Sequence, residues 1–256
     1  MTNLKYISNK MIIFSLAYFL VIVAAGVVIA SRGFSNSLFD YISNLQVGGS
    51  ASAFTISTGV LPLFALVIPL LIDQMESDMI VIRIKQKENL LSQYFTFSIL
   101  ISVLFTILMA AGGIIGSLLA SGHIDNLWGT KEGAIYFLLE NKSHFPFYVP
   151  EVSSVKVWAY LLSSRFLALL FIATFVIFLK CILKKNSYVF FAAIILIGTD
   201  GIFPERYSLF LGRARIEMDT WIDHAGQLFN LVYFVLGIVI FFFACLKMYE
   251  KKEFYH

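Results

Sequence analysis

Two isolated charges and one charged segment are the residues of this chain whose chemistry stands out from their surroundings. Arg165 lies about two turns inside an apolar run, and Asp200 lies about one turn from the end of the next. Charges in hydrocarbon are costly enough that they pair or mark a functional path. The sequence therefore predicts an Arg165–Asp200 ion pair between consecutive antiparallel helices, serving either structure or substrate contact and gating. The third feature is the segment from Asp73 to Glu88, DQMESDMIVIRIKQKE, which stands between two further apolar runs. Its density of charge keeps it in water or against another protein.

Covalent chemistry finds no support in the pattern. An intramembrane zinc protease needs HExxH on a helix, a serine type needs a GxSG-like serine with a histidine on another span, and an aspartyl type needs two intramembrane aspartates. None of these occurs. His123, His144, His224 and His256 are scattered over loops and a terminus and no CxxC accompanies them, so neither a catalytic nor a metal site is expected. Gly112-Gly113-Ile114-Ile115-Gly116 lacks the Lys-Ser/Thr that follows a phosphate-binding loop. It lies within an apolar run, where glycines let helix backbones approach. Any energy for uphill work has to come from another subunit, and no cofactor is expected on this chain.

The elements that must position these charges are membrane spans. Hydrophobic residues make up 59% of the chain and charged residues 14%, with a mean hydropathy of +0.83, far from the averages of soluble domains. The apolar runs are continuous rather than alternating, and a helix needs about 20 apolar residues to cross a bilayer. The chain reads as an all-α polytopic membrane protein with one transmembrane domain over residues 1–256. Six spans are expected, at Met11 to Ala30, Phe54 to Ile72, Tyr94 to Leu119, Val157 to Leu179, Tyr188 to Phe203 and Leu228 to Leu246. The fifth is short and carries Asp200, so a tilted, broken or re-entrant segment, with five spans in all, is the alternative.

Charge bias sets the orientation. With the amino terminus inside, the cytoplasmic segments hold Lys5, Lys10, Arg83, Lys85, Lys87, Lys180, Lys184, Lys185, Lys247, Lys251 and Lys252, eleven of the 19 Lys and Arg residues. The outer segments are richer in acids, among them Asp40, Asp125, Glu132, Glu140, Glu151 and Glu217. Both termini are thus expected in the cytoplasm of a multi-pass protein of a cell membrane. Lys5 and Lys10 ahead of the first run, and Val28-Ile29-Ala30 near its end, also suit a signal sequence, but the run exceeds a removable core and reads as an anchor. The net charge of +3 is explained by lysines beside anionic lipid, without nucleic acid. Cys181 and Cys245 read as free thiols at the cytoplasmic ends of two spans.

Prolines and aromatics refine the picture. Pro62 and Pro69 should loosen or kink the second span. The connector from Ser121 to Lys156 carries Tyr136, Phe137, Phe145, Phe147 and Tyr148, suited to interfacial packing, to capping an external mouth or to touching an amphiphilic substrate. Between the last two spans, Pro204 should break the helix, Tyr207 offers apolar contact and Trp221 can anchor at the headgroups, in what otherwise reads as an ordinary extracellular loop.

Within the Asp73 to Glu88 connector, Met75, Met79 and Ile82 follow helical spacing while Ile80, Ile82 and Ile84 alternate, so a short interfacial helix is expected. A hairpin between adjacent spans needs only a few residues, and this longer amphipathic connector implies a built structure. The arrangement of six spans, cytoplasmic termini and the run Met79-Ile80-Val81-Ile82-Arg83-Ile84-Lys85 leading through Leu90-Leu91-Ser92-Gln93-Tyr94 resembles the permease subunits of type-2 family ABC exporters. The likeness is to small ones that export, or give immunity to, antimicrobial peptides. The resemblance implies a coupling helix whose Glu76, Asp78, Met79, Arg83, Lys85 and Lys87 meet a separate ATP-binding cassette ATPase subunit. It also implies a second permease copy or paralogue, lipid, an amphiphilic peptide or lipid cargo, and ATP with Mg held in the partner ATPase. Only the resemblance implies that the loop with Pro204, Tyr207 and Trp221 dips into the outer leaflet. The family's amphipathic helix ahead of the first span is reduced here to the short stretch Asn3 to Lys10. Two other readings are a non-transporting membrane-embedded immunity or binding protein and an ECF-type substrate-binding subunit.

Overall fold

A computed structural model describes residues 9–76, 87–202 and 207–251. The described residues are helical and contain no strand. In chain order the helices are α1 (Asn9–Ser31), α2 (Leu38–Ile42), α3 (Ala53–Met75), α4 (Lys87–Ala120), α5 (Ala134–Leu138), α6 (Phe145–Tyr148), α7 (Ser154–Ile182), α8 (Asn186–Gly198), α9 (Leu211–Ala214) and α10 (His224–Lys251). Five of them, α1, α3, α4, α7 and α10, are long and apolar enough to cross a membrane.

The expected fifth span differs from the rest. Helix α8 has 13 residues, about 20 Å at 1.5 Å per residue, whereas the hydrocarbon core is about 30 Å thick. It ends at Gly198 and continues as a single 3₁₀ turn, Thr199–Ile202. The physical reason lies in Asp200, which draws backbone from farther along the chain onto its carboxylate instead of letting the helix run on.

The bundle is built around two helices. In α3 and α7, 72% and 61% of the most apolar window is buried, against 22%, 33% and 17% in α1, α4 and α10. The outer three present Phe14, Leu20, Leu100, Ile107, Leu119, Leu236 and Ile240 outward, the pattern of helices that meet lipid on one side and protein on the other. Helix α7 packs against α10, α4 and α3, and α8 lies against α3 and α7. Phe171 of α7 is the ring hub of one interface, with centroids 5.7 Å from Phe210, 5.6 Å from Phe234 and 5.4 Å from Phe241.

Small residues set the closest approach. On α4, Gly112 and Gly116 lie against Val23 and Val27 of α1 so closely that a Cβ on either would collide with the valine methyls. The glycine run thus acts in helix packing. Gly48 and Gly49 have φ of 92° and 107°, a backbone state that only glycine adopts without strain. That turn brings the Gly49 amide to the Gly26 carbonyl at 2.8 Å and Ser50 Oγ to the Met109 carbonyl at 2.6 Å, fastening α1 and α4 to the start of α3.

Of the two prolines in α3, Pro62 leaves the larger mark. Residues Ile56–Val60 form a π-helical turn just before it. The Thr58 carbonyl, four residues before an imide nitrogen that cannot donate, accepts instead from Tyr18 Oη at 2.6 Å. The helix runs on as Leu61–Met75 through Pro69.

Candidate functional site

The Asp73 to Glu88 connector begins at the end of α3, and that end is tied to the helices around it. Asp73 Oδ1 lies 2.6 Å from Lys180 Nζ of α7, and Asp73 Oδ2 accepts from Asn186 Nδ2 of α8 at 2.6 Å. Lys180 Nζ in turn donates to Asn186 Oδ1 at 2.7 Å and to the Lys184 carbonyl at 3.1 Å. The three side chains close a triangle. Lys180 is only 7% exposed and Asp73 48%, so the aspartate can rehydrate while the lysine depends on the triangle. Glu76, the C-cap of α3, accepts from Tyr249 Oη of α10, and the Tyr249 ring meets Tyr94 of α4 edge-on with centroids 6.1 Å apart. Helix α3 is therefore held by α7, α8, α10 and, through a ring contact, α4.

Of the residues assigned to ATPase coupling, Glu76 has this place and Lys87 opens α4. Asp78, Met79, Arg83 and Lys85 lie outside the described residues, as does Pro204. The free thiols Cys181 and Cys245 lie beside one another at the same end of the bundle.

At the opposite end, Arg165 and Asp200 do not pair. Asp200, 2% exposed, accepts from Ser208 Oγ at 2.7 Å and from the amides of Leu209, Phe210 and Leu211 at 2.6, 2.7 and 2.6 Å. Four donors satisfy this carboxylate without a cation, and three amide dipoles at the start of α9 supply the positive potential that an arginine would have given. Arg165, 1% exposed, donates Nη1 to the Ala214 carbonyl and Nη2 to Ser43 Oγ at 3.3 Å. Its Nε has no partner among the described residues, an omission that costs about 1–3 kcal/mol in a buried setting. Position along the spans is enough to bury both groups; it cannot reveal that the loop after α8 reaches Asp200 first.

Arg165 lines a half-open cavity of about 500 Å³ formed by residues 43–57 and 211–217. Arg215 and Glu217 also line it and form their own pair, Nε to Oε1 at 3.0 Å.

A second buried acid, which the sequence marks only as one of the outer loop charges, organises this end. Asp40 of α2 is fully buried. Its Oδ1 accepts from Trp128 Nε1 at 2.7 Å and its Oδ2 from the amides of Ser37 and Asn36 at 3.0 and 3.2 Å. Burial nevertheless outweighs these donors and pushes the carboxyl up to about 6.

Trp221, expected at the headgroups, is instead 1% exposed. It stacks edge-on against Trp128 at 5.4 Å and Tyr160 at 5.9 Å, and Phe39 extends the cluster to Trp128 and Trp158 at 5.4 Å each. The ring gains edge-on contacts in this aromatic layer, while its Nε1 has no hydrogen-bond partner among the described residues. Tyr207 is 69% exposed, free for the apolar contact expected of it. In the connector between α4 and α7, Tyr136 and Phe145 pack at 5.1 Å, while Phe137 and Phe147 are exposed.

Asn186 and Tyr249 have no signal of their own in the sequence, because the acids they bond, Asp73 and Glu76, lie at the end of a helix distant in the chain, and Lys180 reads only as one of the cytoplasmic lysines. Comparison with family models, with curated proteins and with solved structures found no match to this chain.

Proposed function

We propose that this chain is the membrane-spanning permease subunit of an ATP-driven ABC exporter, working with a second permease copy or paralogue and with separate ATPase subunits that hold ATP and Mg. In this reading α8, with the chain that follows it, is a sixth crossing, both termini are cytoplasmic, and the segment between Glu76 and Lys87 is the coupling helix. The cargo is a hydrophobic or amphiphilic compound such as an antimicrobial peptide, leaving across the cell membrane.

The observation that carries the reading is the fastening of the connector end of α3. The Asp73–Lys180–Asn186 triangle and the Tyr249–Glu76 bond give a push on the connector a route into α7, α8 and α10. A π-helical turn in α3 supplies a place where its outer part can yield while its inner part follows, since such turns interrupt regular hydrogen bonding. Alternating exposure of an apolar path then needs no covalent chemistry from this chain.

The test is purification of the full chain from its native membrane in mild detergent. The proposal expects an ATP-binding cassette ATPase in near-stoichiometric amount, lost when Glu76 and Arg83 are reversed in charge while the chain still purifies as a folded protein. A stable complex that never contains an ATPase would replace the exporter with a membrane-embedded binding protein.

A further inference from the structure

The cavity beside Arg165 has a charge that none of the described residues lining it balances. Three charged side chains line it, and two of them, Arg215 and Glu217, neutralise one another at 3.0 Å. Arg165 remains. Among the described residues no carboxylate lies within 4.0 Å of its guanidinium. Both candidate acids are occupied, Asp200 by four donors and Asp40 by three. The guanidinium spends one N–H of each Nη, on Ala214 and Ser43, while its Nε is enclosed and has no partner among the described residues. A buried cation with spare donors beside an accessible volume is a receptor for an oxyanion.

The lining chooses among oxyanions. Phe54 and Val47, 38% and 62% exposed, line the same cavity and suit an acyl chain. Among the described residues the cavity has one uncompensated positive charge, which matches the single negative charge of a phosphodiester, whereas a free phosphate dianion would leave an excess.

We propose that this cavity binds the phosphodiester of an anionic glycerophospholipid, with Arg165 as its counter-cation and Phe54 and Val47 against its acyl chains. The site stands whether or not the chain transports anything, so it does not rest on the exporter reading. The test is native mass spectrometry of the full chain in detergent, titrated with phosphatidylglycerol or phosphatidylcholine of the same acyl chains. Wild type is expected to hold one phosphatidylglycerol at least about tenfold more tightly than phosphatidylcholine. Arg165→Gln should lose that preference, and Ser57→Phe, which adds bulk to the cavity lining and keeps Arg165, should lose the bound lipid. If Arg165→Gln fails to fold, Ser57→Phe decides alone. Equal affinity for the two lipids, or unchanged phosphatidylglycerol binding in a folded Ser57→Phe chain, overturns the proposal. Inorganic phosphate that displaces the lipid in wild type assigns the cavity to a soluble oxyanion and overturns the lipid; phosphate without effect supports it.

Discussion

Asp40 allows the local electrostatics to be tested quantitatively. Burial raises its carboxyl from 3.8 to about 6, although Trp128 and two amides donate to it. Between those two values the folded protein keeps the proton and the unfolded chain has lost it. The folded state therefore binds more protons over that window, and stability falls as pH rises through it. It is greatest below about pH 3.8 and levels off above about pH 6. At about 1.4 kcal/mol for each pH unit between the two values, the site forfeits about 3 kcal/mol across the window. The perturbation is Asp40→Asn, which cannot ionise, and the assay is thermal unfolding of both proteins in detergent micelles at steps from about pH 4 to about pH 7. Other titrating groups affect both proteins alike, so the informative quantity is the difference in midpoint between wild type and variant. That difference should move against wild type by roughly 6–12 °C over the range, taking about 2–4 °C per kcal/mol for a chain of this size. A midpoint difference between wild type and the Asp40→Asn variant that stays flat from acid to neutral pH refutes the burial argument.

Three further substitutions probe the packing and the polar anchors. Asp200→Ala removes the acceptor from three amides and a hydroxyl at once and should destabilise by about 4 kcal/mol, with Asp200→Asn costing less than half as much, both read as unfolding midpoints in micelles. Gly116→Leu forces α4 away from Val27 of α1 and should cost about 1–3 kcal/mol. A companion Val27→Ala change is expected to restore part of the loss, and a midpoint that the companion leaves untouched argues against that contact. Lys180→Met opens the Asp73–Asn186 triangle, and because Asp73 can turn to water the stability cost should be only about 1 kcal/mol. Hydrogen exchange should then show the last turn of α3 opening faster than in wild type, while the outer half of the bundle keeps its protection.

The parts of the fold that are legible in the sequence are those decided by local pattern. Continuous apolar runs require helices in lipid because every backbone group must be satisfied within its own segment, so five long helices and a short sixth run can be read without knowledge of any contact. The glycines on α4 are legible for the same reason, since a spacing of four puts Gly112 and Gly116 on one face. Trp221 departs from its expected place at the headgroups because a tryptophan's preference for an interface is an average, and Trp128 and Tyr160 offer it a closed aromatic layer. Asp40 carries no distinguishing signal, because its burial depends on the return of the chain at Trp128, 88 residues away.

Arg165 and Asp200 mark the boundary between what sequence and tertiary structure determine. The sequence alone set that both are embedded and that each needs compensation, because composition and span position fix the local solvent. Only the tertiary structure decided who compensates them. The loop after α8 folds back and gives Asp200 three amides and a hydroxyl, leaving Arg165 with a carbonyl, a serine and a cavity. Periodicity reports which face of a helix is buried, but hydrogen-bond partners belong to the path of the chain between helices, and backbone amides as donors leave no trace in residue type.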